Sequence, residues 1–151
     1  MKLVKLCGCL MKLAFFRGST GSPIHPLIRW WTHGPYSHVE LIIIEKDGRY
    51  LVGSSLPGKG VFIEWKTFDE KDWDIIDCPI GSPLHAQLVF ERFAGAKYDY
   101  LGIFGFILRR GQHYEHRWFC SEIIAGAIGF RNPWRFCPNA LYDVVKSLKK
   151  H

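Results

Sequence analysis

From position 38 onward the chain alternates short apolar runs with clusters of turn residues. His38-Val39-Glu40-Leu41-Ile42-Ile43-Ile44-Glu45 is β-branched and strand-like. Lys46-Asp47-Gly48-Arg49 is the hairpin turn that leads it into Tyr50-Leu51-Val52-Gly53-Ser54-Ser55. Pro57-Gly58-Lys59-Gly60 turns the chain again into Val61-Phe62-Ile63-Glu64-Trp65, and Trp73 to Asp77 reads as a further strand of the same meander. Upstream, Leu10 to Phe16 predicts a first strand broken by Gly18 to Pro23, and Pro26 to Trp31 a loop or short helix.

The period then changes. Ser82 is placed as an N-cap and Pro83 as the first helical residue of a helix through Leu84, Leu88, Val89, Phe93 and Ala94 that ends near Gly95. Tyr100 to Leu108 is expected to be helical despite two glycines, Cys120 to Ile128 forms a helix stopped by Gly129, and Pro138 to Leu148 a last helix with a basic end. Strands followed by helices predict an α+β fold, in which an antiparallel sheet or small barrel packs against helices. The 151 residues, 48% hydrophobic and 15% aromatic, are expected to form a single domain spanning 1–151.

A formal charge of +6 points to an anionic partner such as a bacterial wall, a membrane surface or nucleic acid, but Lys and Arg are scattered rather than clustered. Five cysteines, an odd number without regular spacing, do not make a disulfide framework and favour a reducing compartment, hence a cytoplasmic location. Lysines at positions 2, 5 and 12 interrupt the apolar start, so no cleaved signal is expected. Too little apolar sequence precedes Leu6-Cys7-Gly8-Cys9 for lipoprotein-type export. No window reaches the length of a transmembrane segment.

The candidate chemistry lies at two element starts. Cys120 opens an apolar, small-residue helix, where unpaired N–H groups and partial positive charge favour a thiolate. His38 opens the central strand, held rigidly at a rim, as suits a general base. Side chains on a strand alternate, so His38 shares a face with Glu40, Ile42 and Ile44, and Glu40 can orient the imidazole. Glu122 is expected to cap the cysteine helix. Cys7, Cys9, Cys78 and Cys137 lack such a setting and are assigned structural roles.

Pro35-Tyr36-Ser37-His38-Val39-Glu40-Leu41, the Gly48 hairpin, Gly60-Val61 before Trp65, Tyr98-Asp99-Tyr100-Leu101-Gly102 and Phe119-Cys120-Ser121-Glu122 carry a resemblance. In order and spacing, from about Trp30 to Leu141, the chain resembles the circularly permuted NlpC-type papain-like cysteine hydrolases of the YiiX-like branch, which include bacteriophage-encoded members. The histidine precedes the cysteine, as in the permuted branch. The resemblance implies Cys120 as nucleophile and His38 as base and later acid, acting through an acyl-enzyme on an amide, ester or thioester. A cell-wall peptide is among the substrates it implies, and no cofactor is. It also implies that Tyr98, Ser37, Ser121 and the Cys120 backbone N–H line the substrate and oxyanion side. Relatives carry a polar third residue near the end of the strand after the histidine strand; here that place falls to Ser54, with Glu40 as the alternative.

Three other readings compete. His113, His116 and Cys120 have spacings compatible with zinc, but no fourth ligand is near, so no metal site is assigned. Arg29-Trp30-Trp31 with the basic tail has the chemistry of a phosphate-gripping, base-stacking module, although tryptophans beside an arginine more often form core, and nucleic acid is not the expected partner. Permuted papain-like domains also resemble lipid acyltransferases, which pass the cysteine-bound acyl group to an amine or alcohol.

Overall fold

The computed structural model describes residues 10–18, 23–98 and 117–148. Strand β1 (Met11–Phe16) precedes helix α1 (Ile24–Thr32). Strands β2 (His38–Lys46), β3 (Arg49–Leu56), β4 (Gly60–Lys66) and β5 (Trp73–Cys78) follow, then α2 (Pro83–Phe93). Two short strands, β6 (Lys97–Tyr98) and β7 (Arg117–Trp118), lead to α3 (Cys120–Ala127), a 3-10 turn (Pro133–Arg135) and α4 (Pro138–Leu148). The helix expected over Tyr100 to Leu108 lies outside the described residues.

The fold is α+β, with an open five-stranded antiparallel sheet in the order β4-β3-β2-β1-β5. Strands β2, β3 and β4 form the expected meander. At its first turn Asp47 and Gly48 both take positive φ (53° and 71°), as a two-residue hairpin of this twist requires. β5 departs from expectation: it does not extend the meander beside β4 but pairs with β1 at the opposite edge, Phe16 facing Trp73 and Lys12 facing Asp77. The six-residue connector after β4 leaves the sheet edge, and Phe68 within it packs on both Tyr50 and Trp73. The Arg17–Asp74 ion pair ties the β1 end to β5.

The alternation read in β2 separates two cores. Val39, Leu41 and Ile43 join Leu13 and Phe15 against Ala86 and Phe90 of α2, Ile123 and Ile124 of α3, and Leu141 and Val145 of α4. On the opposite face Ala14, Ile42, Val52 and Phe62 form a smaller cluster roofed by Tyr50, Leu56, Phe68 and Trp73. Ile44, expected on the His38 face, instead joins the main core, because a bulge between Ile42 and Ile44 shifts the register with β3 by one residue. Ser82 caps α2 and Pro83 begins it, as the sequence indicates. Among the described residues no helix is long and apolar enough to cross a membrane.

Candidate active site

His38 is the first residue of β2 and lies opposite Phe16 of β1. The preceding residues are fixed before the strand starts. Ser37 N–H donates to the Phe16 carbonyl (3.1 Å), and the Tyr36 N–H and C=O both bond the side chain of Asn139. The imidazole stands edge-on to the Trp73 indole, ring centres 6.1 Å apart, and is 5% exposed.

Cys120 is the first residue of α3. The Glu122 carboxylate reaches back to accept the Phe119 N–H at 3.1 Å, the capping role expected of it. Ile123 and Ile124 sink the helix into the main core, where it packs against β2 and β3, and His38 lies at the start of β2. There the β2–β3 ladder, which begins at Leu41 opposite Gly53, has not yet formed, whereas β1 pairs with β2 as far as His38. The Cys120 sulfur lies against the His38 imidazole, close enough to interact with it by charge and by hydrogen bonding.

Behind the imidazole stands Glu40. Its Oε1 is 3.3 Å from His38 Nε2, a looser contact than a tight charge-assisted bond. The same Oε1 accepts from Lys66 Nζ at 3.0 Å. Burial by itself pulls the His38 imidazole down. The charge and hydrogen bond of Cys120, followed by those of Glu40, outweigh burial and push the imidazole up to about 9. For Glu40 burial likewise opposes ionisation, and His38 and Lys66 together hold the carboxyl below its ordinary value. This is the electrostatic profile of a buried histidine that keeps its proton.

Ser54, the other candidate for orienting the imidazole, is engaged elsewhere. Its buried hydroxyl donates to the Val39 carbonyl at 2.6 Å, closing the β2–β3 gap where the ladder is missing, and the carboxylate of Glu40 occupies the orienting place. The Ser121 hydroxyl is engaged as well, donating to the Phe136 carbonyl (2.5 Å). Ser37 is buried beside His38 with its hydroxyl unpartnered among the described residues. Tyr98 pairs through its backbone with Trp118 in parallel β6–β7, which brings its main chain near the cysteine helix. The Cys120 thiol is itself buried, 0% exposed.

His113 and His116 lie outside the described residues, and among those described no cluster of three or more metal-ligating side chains occurs. Arg29 does not face outward to grip phosphate. Its guanidinium donates to the Arg17 and Gly18 carbonyls, while Trp30 is 68% exposed. Lys66 escaped the sequence reading. It lies 26 residues beyond Glu40, and only its two-strand distance in the folded sheet, bridged by a long side chain, brings them together. No protein-family model matches the chain, and no curated protein matches it significantly.

Proposed function

We propose that this protein is a cysteine hydrolase with a circularly permuted papain-like fold, cleaving an amide through an acyl-enzyme. The observation that carries the reading is the apposition of the Cys120 sulfur, at a helix start, to a His38 imidazole whose Nε2 faces Glu40. Two elements far apart in sequence supply the three groups, β2 the base and the orienter and α3 the nucleophile, in the mutual order that cysteine hydrolysis needs.

In the reaction the Cys120 thiolate attacks the carbonyl carbon and an S–C bond forms. Charge then develops on oxygen near the first-turn N–H groups of α3, which have no acceptor within the helix. His38 gives its proton to the leaving nitrogen as the C–N bond breaks. In the second half His38 takes a proton from water, the oxygen bonds to the acyl carbon, and the S–C bond breaks to return the thiolate–imidazolium pair. Glu40 accepts the Nε2–H throughout and steadies the imidazolium. Because Cys120 and His38 are buried, turnover requires the site to open to substrate.

Peptide amides, including those of cell-wall peptide, are the substrate class implied by the resemblance in order and spacing. Free thiols at Cys78, Cys120 and Cys137 agree with a reducing, cytoplasmic setting. The test is to expose the protein to a panel of electrophilic acyl probes, digest it and identify by mass spectrometry what is bound where. Acylation concentrated on Cys120 and lost in His38→Ala is expected; equal labelling of Cys78 and Cys137 would remove the proposal.

A further inference from the structure

We infer that Lys66 is a positioning residue for His38, acting through the Glu40 carboxylate; the inference rests on the hydrolase reading above. Lys66 Nζ and His38 Nε2 meet at one oxygen, Glu40 Oε1, at 3.0 and 3.3 Å. The Glu40 side chain is 2% exposed, and its second oxygen has no partner among the described residues. A carboxylate so far from water stays ionised only beside compensating positive charge. Two cations supply it, and one of them, the imidazolium, gives up its proton during each turnover.

The surroundings leave that role to Lys66. β1 offers Ala14 opposite Glu40 and Phe16 opposite His38, and β3 offers the uncharged Ser54, whose hydroxyl is bound to Val39. β5 contributes the Trp73 indole, α3 contributes Cys120, and α1 contributes His25, whose imidazole is lowered by burial and by the nearby His38 and Arg29 charges, with the Arg29 guanidinium bound to the Arg17 and Gly18 carbonyls. Lys66 on β4 is the cationic side chain that, besides His38, bonds the Glu40 carboxylate among the described residues. It is itself confined, with Nζ 4.9 Å above the Phe68 ring and 5.0 Å above the Trp73 ring, and Trp73 also flanks His38. One aromatic wall thus holds the ammonium and the imidazole to the same carboxylate.

The physical consequence concerns both charge and tautomer. With Lys66 present, Glu40 Oε1 remains an ionised acceptor when His38 is neutral, so the imidazole proton stays on Nε2 and the lone pair stays on Nδ1. Without Lys66 the buried carboxyl takes up a proton at higher pH and the orienting contact is lost.

The test uses the full chain with Lys66→Met, Lys66→Gln and Lys66→Arg, and reads the second-order rate of Cys120 alkylation by iodoacetamide across roughly pH 4 to 10 by peptide mass spectrometry. The Met and Gln variants should move the acid limb up by about one pH unit or more and lower the plateau about tenfold, with Arg restoring both. Profiles of the folded Met or Gln variant that superimpose on the native profile would overturn the role of Lys66. Nitrogen NMR of the native protein gives an independent check if the variants do not fold. Above the His38 titration the remaining proton should sit on Nε2, and a proton on Nδ1 would equally overturn the inference. Failure of the underlying reading looks different, since native Cys120 would then react no faster than Cys78 and Cys137.

Discussion

The side-chain amide of Asn139 holds the peptide of Tyr36 at both ends, its Oδ1 accepting the Tyr36 N–H at 3.0 Å and its Nδ2 donating to the Tyr36 carbonyl at 2.9 Å. Nδ2 also donates to Thr32 Oγ1 at 2.6 Å. The start of α4 therefore fixes the end of α1 and the segment that delivers His38 to the sheet. Asn139→Ala leaves the buried Tyr36 N–H and C=O without these partners and should cost roughly 2–3 kcal/mol in urea unfolding. Gly34→Ala should weaken the same clamp, because a Cβ there would lie 2.2 Å from Asn139 Cγ. An unchanged unfolding midpoint in both variants would contradict this role.

Glu40 and Ser54 are predicted to separate cleanly. Glu40→Gln keeps the shape but removes the charge facing Nε2, so Cys120 alkylation at neutral pH should fall about tenfold or more. Ser54→Ala removes only the hydroxyl tie to the Val39 carbonyl; it should cost about 1 kcal/mol of stability and leave reactivity within about twofold. The reverse pattern would make Ser54 the orienter.

The described cysteines should differ in reactivity. Burial pushes the Cys78 and Cys137 thiols up, backbone hydrogen bonds only partly offsetting it, so both remain protonated at neutral pH. Brief iodoacetamide treatment of the native protein should modify Cys120 ahead of these two, through opening of the buried site, and unfolding in guanidinium should erase the ranking. A native ranking led by Cys78 or Cys137 would count against an activated Cys120.

The charged cluster also sets a pH window for stability. Glu40 is held below its ordinary 4.5, so its contribution is present above the unfolded value and is lost as pH falls through the folded one. His38 is raised to about 9 from 6.5, so its contribution is complete below 6.5 and is lost as pH rises towards 9. Urea midpoints measured against pH should therefore drop on both sides of this window, and Glu40→Gln should flatten the acid side. An acid limb equally steep in that variant would place the responsible carboxylate elsewhere.

Much of this arrangement was legible in the sequence because it is local. Ser82-Pro83, Asp47-Gly48 and Gly129 mark ends and turns through their own backbone preferences, and the β-branched run of β2 needs no distant partner to be read. Glu40 was legible for the same reason, since a spacing of two residues puts it on the His38 face. The placement of β5 was not, because its pairing with β1 rests on contacts such as Phe16–Trp73 and Arg17–Asp74 that span more than fifty residues. Ser54 has the polarity of an orienter, but the missing rungs between β2 and β3 turn its hydroxyl to a carbonyl. Burial of the thiol was likewise illegible, since it depends on how α3 packs against strands and helices far from it in sequence.

The most direct test of the account is the titration of the His38 imidazole, followed by nitrogen and carbon NMR in the native protein and in Cys120→Ala. The account predicts a native value of about 9 and a fall of about one unit or more when the sulfur is removed, because burial then opposes Glu40 alone. A His38 titration near the ordinary 6.5 that does not respond to Cys120→Ala would mean that the sulfur and the imidazole do not act together, contradicting the account.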